Sequence, residues 1–471
     1  MKKIILFELN EVPFRIIDYF TDGHPESTLA KALPNCRKFE TFSEDSGHLS
    51  PWTTWPTVHR GVPNDAHFIA NFGQDLSEID SEFPPIWRIL AEAGLSVGVC
   101  GSLHSYPMPK SLDGYSFYLP DTFAAGSECF PSSLDAFQEF NLSMARASPR
   151  NVQRKVDWGA AIRMLKSMPD LGFRFRTAQQ IAGQLLEERK NPWKTVRRRT
   201  YQTILAFDVF MRQLQKNRPR FSTFFTNHVA SSMHRYWAAL FPGDYETFDY
   251  DDKWVSTYRT EIDFTMGVTD QLFTRVKNFA DRNQGYQIWI TTSMGQEATT
   301  AEPIETQVYL SDPDKFLGLL MGEEFGDWKT RPAMAPQSNF QVNSKAEDLE
   351  RALGDIKIAG TKMDFRRVDG AFFSLDFGQK NVRDEDRIVV INDTAHSFED
   401  AGLDNVEITD KSGCSAYHIP QGSMLVYDPT FSRQSDERVS VSTTQLAPTI
   451  LSQLDVKVPQ YMKPSFAIPT G

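Results

Sequence analysis

Short apolar runs alternate with amphipathic stretches along the chain, and this alternation constrains the fold more than any other feature. The first run, residues 4–9, ends in a polar cluster before Pro13 opens a helical pattern. A short apolar run that leads into a helix is typical of a strand buried in a parallel sheet. The same order recurs, with strands predicted at 95–100, 221–226, 286–292, 387–392 and 423–427, and helices at 85–94, 201–215, 258–282 and 443–454. The sequence therefore predicts an α/β fold with a mostly parallel central sheet and helices on both of its faces.

Two stretches interrupt the alternation and predict insertions into this core. Residues 145–217 are helical and include a basic run, Arg197, Arg198 and Arg199, so we expect a helical cap there. Such a run is typical of a solvated helix face, and the alternative is a surface that gathers an anionic substrate. Residues 310–390 have a mixed pattern that predicts a smaller subdomain. The core is then built from residues 1–144, 218–309 and 391–471.

Charge and cysteine usage narrow the classes of function. The chain has 471 residues, with 50 lysines and arginines against 61 aspartates and glutamates, a formal net charge of −11 that argues against a general nucleic-acid binder. The four cysteines contain no CxxC pair, so neither a disulfide framework nor a thiolate zinc site is expected. No window approaches the ~18 apolar residues of a membrane span, and the first residues lack the apolar stretch of a signal peptide. We expect a cytoplasmic protein without a transmembrane segment.

Polar side chains cluster where predicted strands end, which is the edge of a parallel sheet that carries function. Glu8, Asn10 and Glu11 follow the first predicted strand. They suit either a cap for the next helix or, at Glu8, a ligand for a metal or substrate. Residues 50–61 are rich in hydroxyls and run into a helix start, where a hydroxyl is either an ordinary cap or a nucleophile beside a bound anion.

Histidines mark two further segments of the same kind. His228 and His234 lie just past the strand predicted at 221–226, next to Asn227, and suit either a structural role, a metal site or an acid–base pair. His418 lies in a loop bounded by glycine and proline, ahead of another predicted strand. Spacing alone leaves the role of His418 open.

Taken together, these segments resemble the alkaline phosphatase superfamily, in particular its type I phosphodiesterase and nucleotide pyrophosphatase branch. The likeness covers most of the chain outside the predicted cap and subdomain. The stretches that carry it are Trp55-x-Thr57-x-x-x-Gly61 with Pro63 and His67, His234-x-x-Trp237, His418-x-Pro420-x-Gly422, and residues 442–451.

The resemblance implies a metal site that has lost most of its usual ligands. Members of this superfamily usually hold two divalent metals with aspartate and histidine ligands around a nucleophile. His234 and His418 match two histidines of one metal site, Glu8 stands at the place of the first-strand aspartate, and Ala230 replaces another aspartate. Residues 292–296, which match the ligands of the second metal, contain neither aspartate nor histidine. We therefore expect at most one divalent metal (zinc, manganese or magnesium) on Glu8, His234 and His418.

The resemblance also implies roles for the other polar residues. Pro51 stands where the nucleophile is expected, which leaves Thr54 or Thr57 as the leading substitutes and Ser50 or Thr53 as alternatives. His59 and His228 are the candidate general acid and base, and Asn10, Asn227 and Gln296 are the candidate substrate-binding residues.

These expectations favour an enzyme that acts on a phosphoester or a nucleotide-linked sugar, as a hydrolase or a transferase. Within this superfamily, the sequence resembles a subgroup that is associated with bacterial surface-polysaccharide metabolism. Two alternatives remain open, a metal-independent glycan group transferase and a non-catalytic relative that keeps the fold for binding.

Overall fold

The computed structural model describes residues 1–145, 159, 163–164, 171–334, 336–368, 370–432 and 437–469. The strands are β1 Lys3–Leu9, β2 Cys36–Phe42, β3 Val97–Cys100, β4 Tyr115–Leu119, β5 Phe221–Thr226, β6 Tyr286–Thr291, β7 Gly295–Ala298, β8 Thr306–Leu310, β9 Trp328–Arg331, β10 Gln337–Val342, β11 Lys357–Ile358, β12 Thr361–Lys362, β13 Asp364–Val368, β14 Phe372–Asp376, β15 Ile388–Ile391, β16 Thr394–Ser397, β17 Leu403–Glu407, β18 Ala416–Ile419, β19 Gln421–Tyr427 and β20 Arg438–Ser442.

The α-helices lie on both faces of the central sheet and beside the smaller sheets. They are α1 Phe14–Gly23, α2 Thr28–Ala32, α3 Pro51–Arg60, α4 Asn64–His67, α5 Ser77–Glu82, α6 Ile86–Glu92, α7 Asp135–Ala145, α8 Phe175–Lys190, α9 Arg198–Asn217, α10 His228–Leu240, α11 Asp252–Tyr258, α12 Glu261–Arg282, α13 Pro313–Met321, α14 Ala346–Gly354 and α15 Leu446–Gln453.

The central sheet has eight strands in the order β20-β2-β19-β6-β1-β5-β3-β4. Its neighbouring strands are parallel except where β19 pairs with β2 and β6. This topology confirms the predicted fold class. The strand predicted at 221–226 and the helix start after Pro13 are found as expected, and the helix predicted at 258–282 is found as α12, which begins three residues later than predicted.

Alternation along β1 explains how the sheet is buried on both faces. Ile5, Phe7 and Leu9 pack into one apolar cluster with α9, α10 and α12. Ile4 and Leu6 pack into a second cluster on the opposite face, with α3, α6 and α15. Because successive side chains of a strand point to opposite faces, Glu8 lies on the face of Ile4 and Leu6.

Smaller antiparallel sheets form the region predicted as a subdomain. They have the orders β13-β14-β10-β9 and β12-β11-β15-β16, and share an apolar cluster that extends to Leu403. The sequence position of the strand predicted at 387–392 had suggested that it belongs to the central sheet. The structure places it outside that sheet. Its residues 388–391 pair with β11 and β16, because its apolar side chains complete the subdomain's core.

Much of the predicted cap, at 146–158, 160–162 and 165–170, lies outside the described residues. In the described part, α9 packs directly on the central sheet through Phe207 and Phe210, which contact Phe224. The basic run forms ion pairs, Arg197 with Glu261 and Arg198 with Glu188, and Arg199 donates a hydrogen bond to Ser231. The cap and subdomain divisions as such stay predictions.

Among the described residues, every helix is too short or too polar to span a lipid bilayer.

Candidate active site

A buried carboxylate and two histidines converge at the carboxyl edge of the central sheet. Nε2 of His234 lies 2.9 Å from Oε2 of Glu11, and Nε2 of His418 lies 3.3 Å from the same oxygen. One ligand atom from each residue lies within 4.8 Å of the other two. Glu11 is almost fully buried, whereas the His234 side chain is 25% exposed, so the cluster can be reached from solvent through His234.

Three separate elements bring these residues together. Glu11 follows β1 directly, His234 lies in the second turn of α10 after β5, and His418 lies in β18. Glu11 has a φ of 61°, a left-handed conformation that is uncommon for a residue with a side chain. Strained backbone of this kind is concentrated at functional sites, because the surrounding structure must hold it in place.

Each histidine is oriented by a backbone carbonyl on its other ring nitrogen. Nδ1 of His234 lies 2.7 Å from the carbonyl oxygen of Ala416, and Nδ1 of His418 lies 2.7 Å from that of Leu49. A carbonyl oxygen only accepts hydrogen bonds, so both Nδ1 atoms carry a proton. Both Nε2 atoms are thereby directed at Glu11, which is the arrangement usual for histidines that bind a metal ion.

The three side chains are strongly coupled in electrostatic terms. Burial alone would raise the pKa of Glu11, but the charges of His418 and His234 hold it well below its usual range. Burial alone would lower the pKa of His234, but the Cys414 thiol and Glu11 raise it well above its usual range. The Cys414 Sγ lies 3.5 Å from Nδ1 of His234. Glu11 is thus the anionic centre of the cluster.

Amide side chains complete the surroundings of Glu11. Asn10 donates through Nδ2 to Oε1 of Glu11 at 2.6 Å and to Oδ1 of Asn227 at 2.7 Å, and accepts from the Trp55 indole at 2.7 Å. Gln296, in register with His418 across the β7–β18 pair, donates to Oε2 of Glu11. The structure thus brings together all three residues predicted to bind substrate. Their roles in binding stay predictions.

One buried hydrogen-bond acceptor beside Glu11 has no partner among the described residues. It is Oε1 of Gln296. An unpaired buried oxygen costs free energy, and a ligand or a bound water at the site would satisfy it.

The amino terminus of α3 adjoins the cluster, because Leu49, whose carbonyl anchors His418, directly precedes the N-cap residue Ser50. The Ser50 side chain makes no capping hydrogen bond to the backbone of α3. Thr54 is fully buried against Ser293 at 2.8 Å. Thr57 is fully buried between Asp45 and a histidine of α4. The hydroxyls that the sequence favoured as nucleophiles are therefore already engaged, and their catalytic role stays a prediction.

Glu8 does not join the two histidines as the sequence had suggested. Its Oε1 pairs with Nε2 of His59 at 2.7 Å on the α3 face of the sheet, and both residues are buried. The carboxylate found beside His234 and His418 is Glu11, because residue 8 still obeys the alternation of β1 whereas residue 11 lies beyond its end.

His228 also stands apart from the cluster. Its two ring nitrogens lie near the hydroxyls of Thr226 and Thr269, at 2.7 and 3.1 Å. Burial lowers the pKa of His228 to about 4, so the ring is neutral at pH 7. Its role as a general acid or base stays a prediction, as does that of His59.

Sequence reasoning did not place Glu11 beside the two histidines and passed over His48, Cys414 and Tyr417. His48 and Tyr417 form a hydrogen-bonded pair at 2.9 Å on the exposed side of His418. The available signal was that Cys414 and Tyr417 lie within four residues of His418 in the glycine-bounded loop.

No family model matches the sequence, and no curated protein matches it. Murine ectonucleotide pyrophosphatase/phosphodiesterase 5 is similar in structure, with 11% identity, 98% of each chain covered and a TM-score of 0.43. Phosphonoacetate hydrolase from Sinorhizobium meliloti, solved with phosphonoformate, is 12% identical, with 97% of this chain and 95% of that chain covered and a TM-score of 0.42.

Both neighbours belong to the alkaline phosphatase superfamily, the one that the sequence resembles. At such identities and TM-scores the likeness carries no argument about the chemistry of this chain, which depends on its own side chains.

Proposed function

We propose that the chain is an enzyme that acts on a phosphoester or a nucleotide-linked sugar, with at most one divalent metal held by Glu11, His234 and His418. One observation carries the proposal. Two imidazole Nε2 atoms converge on a single carboxylate oxygen, while both Nδ1 atoms are fixed by backbone carbonyls. A role in bacterial surface-polysaccharide metabolism stays a prediction that this chemistry would suit.

The donor set fits a catalytic metal ion. Two histidine nitrogens and one carboxylate oxygen are a set used by catalytic zinc sites, which keep a further position open for water or substrate. Imidazole suits zinc, whereas carboxylate suits manganese and magnesium, so the two histidine donors favour zinc. When bound, such an ion supplies Lewis acidity that polarises a phosphoryl oxygen. Partial exposure of His234 leaves room for substrate to approach.

The start of α3 suits the phosphoryl group itself. A helix amino terminus carries partial positive charge and free N–H groups, which favour an anion. Pro51, at the first helical position, has no N–H, and the Ser50 side chain caps no N–H of the helix. The N–H groups of Thr53 and Thr54 already donate to the Ser50 carbonyl, so the terminus offers an anion mainly its partial positive charge. Because Leu49 also anchors His418, the anion and the histidine cluster would share one turn of chain.

His48 is the side chain best placed to move a proton on the solvent side. It is hydrogen-bonded to Tyr417, and its ring centroid lies 6.5 Å from that of His418. Burial, and then the charge of His418, lower the pKa of His48. A neutral imidazole at pH 7 can accept a proton from water or from a substrate hydroxyl.

One observation favours the metal-independent alternative, a glycan group transferase. Glu11 and His234 are already in direct contact at 2.9 Å, so they form a charged pair without any ion between them. In that case Glu11 would hold the imidazolium in place, and product formation would survive exhaustive chelation.

The test is turnover of p-nitrophenyl phosphate, bis-p-nitrophenyl phosphate and a nucleotide-linked sugar by the full chain, with added Zn²⁺ or Mn²⁺ and with a chelator. We expect turnover that chelation abolishes and that Glu11→Gln lowers at least tenfold. The matched control is Glu297→Gln, the same chemical change at an exposed position of β7.

Each other outcome also decides. Turnover that persists under chelation would favour the metal-independent alternative. No turnover of any probe by the wild type, or equal turnover by Glu11→Gln, would contradict the proposed function.

A further inference from the structure

We propose a second anion site, at the amino edge of the central sheet, that binds a small ligand carrying two or more phosphate groups. The pocket has a volume of about 660 Å³. Its basic lining is Arg174, Arg212, Arg218, Arg275 and Arg282. This site is separate from the Glu11 cluster and does not depend on the proposed function.

The concentration of charge is the first reason for this assignment. Five guanidinium groups line one pocket in a chain whose formal net charge is −11, and Asp208 is the single acidic residue of the lining. Charges of one sign that line a concave site create a positive local potential, which raises the concentration of small anions there.

The lack of internal partners is the second reason. Asp208 is fully buried and binds Arg275 at 2.6 Å, and it also accepts from the backbone N–H of Arg174. The side chains of Arg174, Arg212, Arg218 and Arg282 have no carboxylate within ion-pair distance in the described ranges. All four are exposed.

Two of these arginines have a local explanation as well. Arg282 ends α12 and Arg218 caps the end of α9, where helix dipoles favour a positive charge. Arg174 and Arg212 have no such explanation, since one precedes α8 and the other lies inside α9. Arg275 is held by Asp208 below, so its remaining N–H groups are oriented before any ligand arrives.

The size and chemistry of the pocket set the class of ligand. Its volume is that of a small-molecule site, and guanidinium groups bind phosphate oxygens in pairs through parallel N–H donors. One phosphate can engage two or three arginines, whereas a pyrophosphate or triphosphate presents enough oxygens for all five that line this pocket. Asn278 adds amide donors and acceptors, and Met211 forms part of the apolar lining.

The pocket lies far from the candidate active site. Arg218 precedes β5 and Asn283 precedes β6, so these lining residues mark the amino ends of two parallel strands. The Glu11 cluster lies past the carboxyl ends of β1 and β5. One strand of this length separates the two edges by about 20 Å.

The test is calorimetric binding of tripolyphosphate, pyrophosphate and ATP to the full chain after chelation, in the background of the His418→Ala change, so that the active site contributes least. The decisive variant is Arg174→Ala with Arg212→Ala, which keeps Asp208 and Arg275 in place. The matched control is Arg176→Ala with Arg189→Ala, which removes two exposed charges from α8 outside the pocket.

We expect tripolyphosphate to bind saturably. The pocket variant should weaken this binding about 100-fold, about tenfold for each arginine. The control variant should change the affinity by less than about twofold. ATP binding more tightly than tripolyphosphate would show that the nucleoside adds contacts, and equal affinity would identify an inorganic or terminal oligophosphate as the shared ligand. No saturable binding up to about 10 mM, or equal loss in both double variants, would overturn the proposal.

Discussion

Two carboxylate–histidine groups lie three residues apart at the end of β1, and they differ in what surrounds them. Glu8 and His59 form a buried pair, with His59 packed against Trp55 at 5.6 Å and Trp87 at 4.8 Å between ring centroids. Glu11 instead meets two histidines, one of them a quarter exposed. The same residue types therefore lie in a closed aromatic environment in one group and next to solvent in the other.

The two groups differ in how far solvent can reach them and in what holds the second ring nitrogen of each histidine. Aromatic rings close the space around His59, whereas the Nδ1 atoms of His234 and His418 are held by backbone carbonyls so that their Nε2 atoms remain directed at the carboxylate. A histidine fixed in this way is ready to bind a ligand. We therefore expect the Glu8–His59 pair to stabilise the fold and the Glu11 cluster to carry the proposed chemistry.

The largest effect should come from breaking the buried pair. Glu8→Ala leaves His59 without its carboxylate partner in an apolar, closed space, and we expect the free energy of unfolding to fall by about 3–5 kcal/mol. Urea unfolding measures this, with the exposed Glu297→Ala as a control expected within about 0.5 kcal/mol. If Glu8→Ala lowers the free energy of unfolding no more than the control does, the buried pair does not stabilise the fold as expected.

The next effect separates chemistry from stability. His418→Ala should lower turnover of a phosphoester about 100- to 1000-fold, or about 3–4 kcal/mol of transition-state stabilisation, because it removes a proposed ligand. His59→Ala, by contrast, should lower the melting temperature while the folded fraction keeps its turnover. Steady-state kinetics with calorimetric melting checks both, and the reverse pattern would exchange the roles of the two groups.

A pH series on chelated protein measures how strongly Glu11 and His234 interact as a charged pair. Burial opposes both shifts, yet the histidines hold the pKa of Glu11 below its ordinary 4.5, and Cys414 with Glu11 holds that of His234 above its ordinary 6.5. Glu11 therefore stabilises the fold above pH 4.5 and loses this contribution as pH falls through its lowered pKa. His234 contributes fully below pH 6.5 and loses its contribution as pH rises through its raised pKa.

The cost of Glu11→Gln in free energy of unfolding should accordingly be largest between these two ordinary pKa values, 4.5 and 6.5. It should shrink once the pH passes the raised pKa of His234. Urea unfolding of both proteins across this range is the measurement, and a cost that stays constant up to alkaline pH would argue against the charged pair.

The smallest effect concerns His228, whose pKa burial lowers to about 4. We expect a neutral ring held by two threonine hydroxyls to stabilise the fold and to take no part in the reaction. His228→Ala should therefore lower the free energy of unfolding by about 1–2 kcal/mol. Turnover and its pH profile should change little. Loss of one limb of the pH–rate profile would instead support the general acid or base role predicted from the sequence.

Much of the fold was predictable because the apolar periodicity of each strand is local. The run at 221–226 is found unchanged as β5, and the helix after Pro13 begins at Phe14. The strand at 387–392 was placed in the wrong sheet, because an apolar run does not say which partner will cover it. Its true partners come from residues of the subdomain.

The site was predictable in its histidines and not in its carboxylate. His234 and His418 stand out by type and position, but matching the first strand to a family pattern put Glu8 at the ligand position. Two facts place Glu11 rather than Glu8 beside these histidines, the alternation of β1 and the left-handed turn that follows it. The first could have been counted along the strand, whereas a positive φ at a glutamate has no signal in the sequence.

Metal content of the purified, tag-free chain shows whether Glu11 holds a metal ion with His234 and His418. Elemental analysis of the wild type, Glu11→Gln and Glu8→Gln compares two identical changes three residues apart. We expect about one equivalent of zinc or manganese in the wild type and in Glu8→Gln, and none in Glu11→Gln. Metal retained in Glu11→Gln, lost in Glu8→Gln, or missing from all three would contradict a metal centre built on Glu11, His234 and His418.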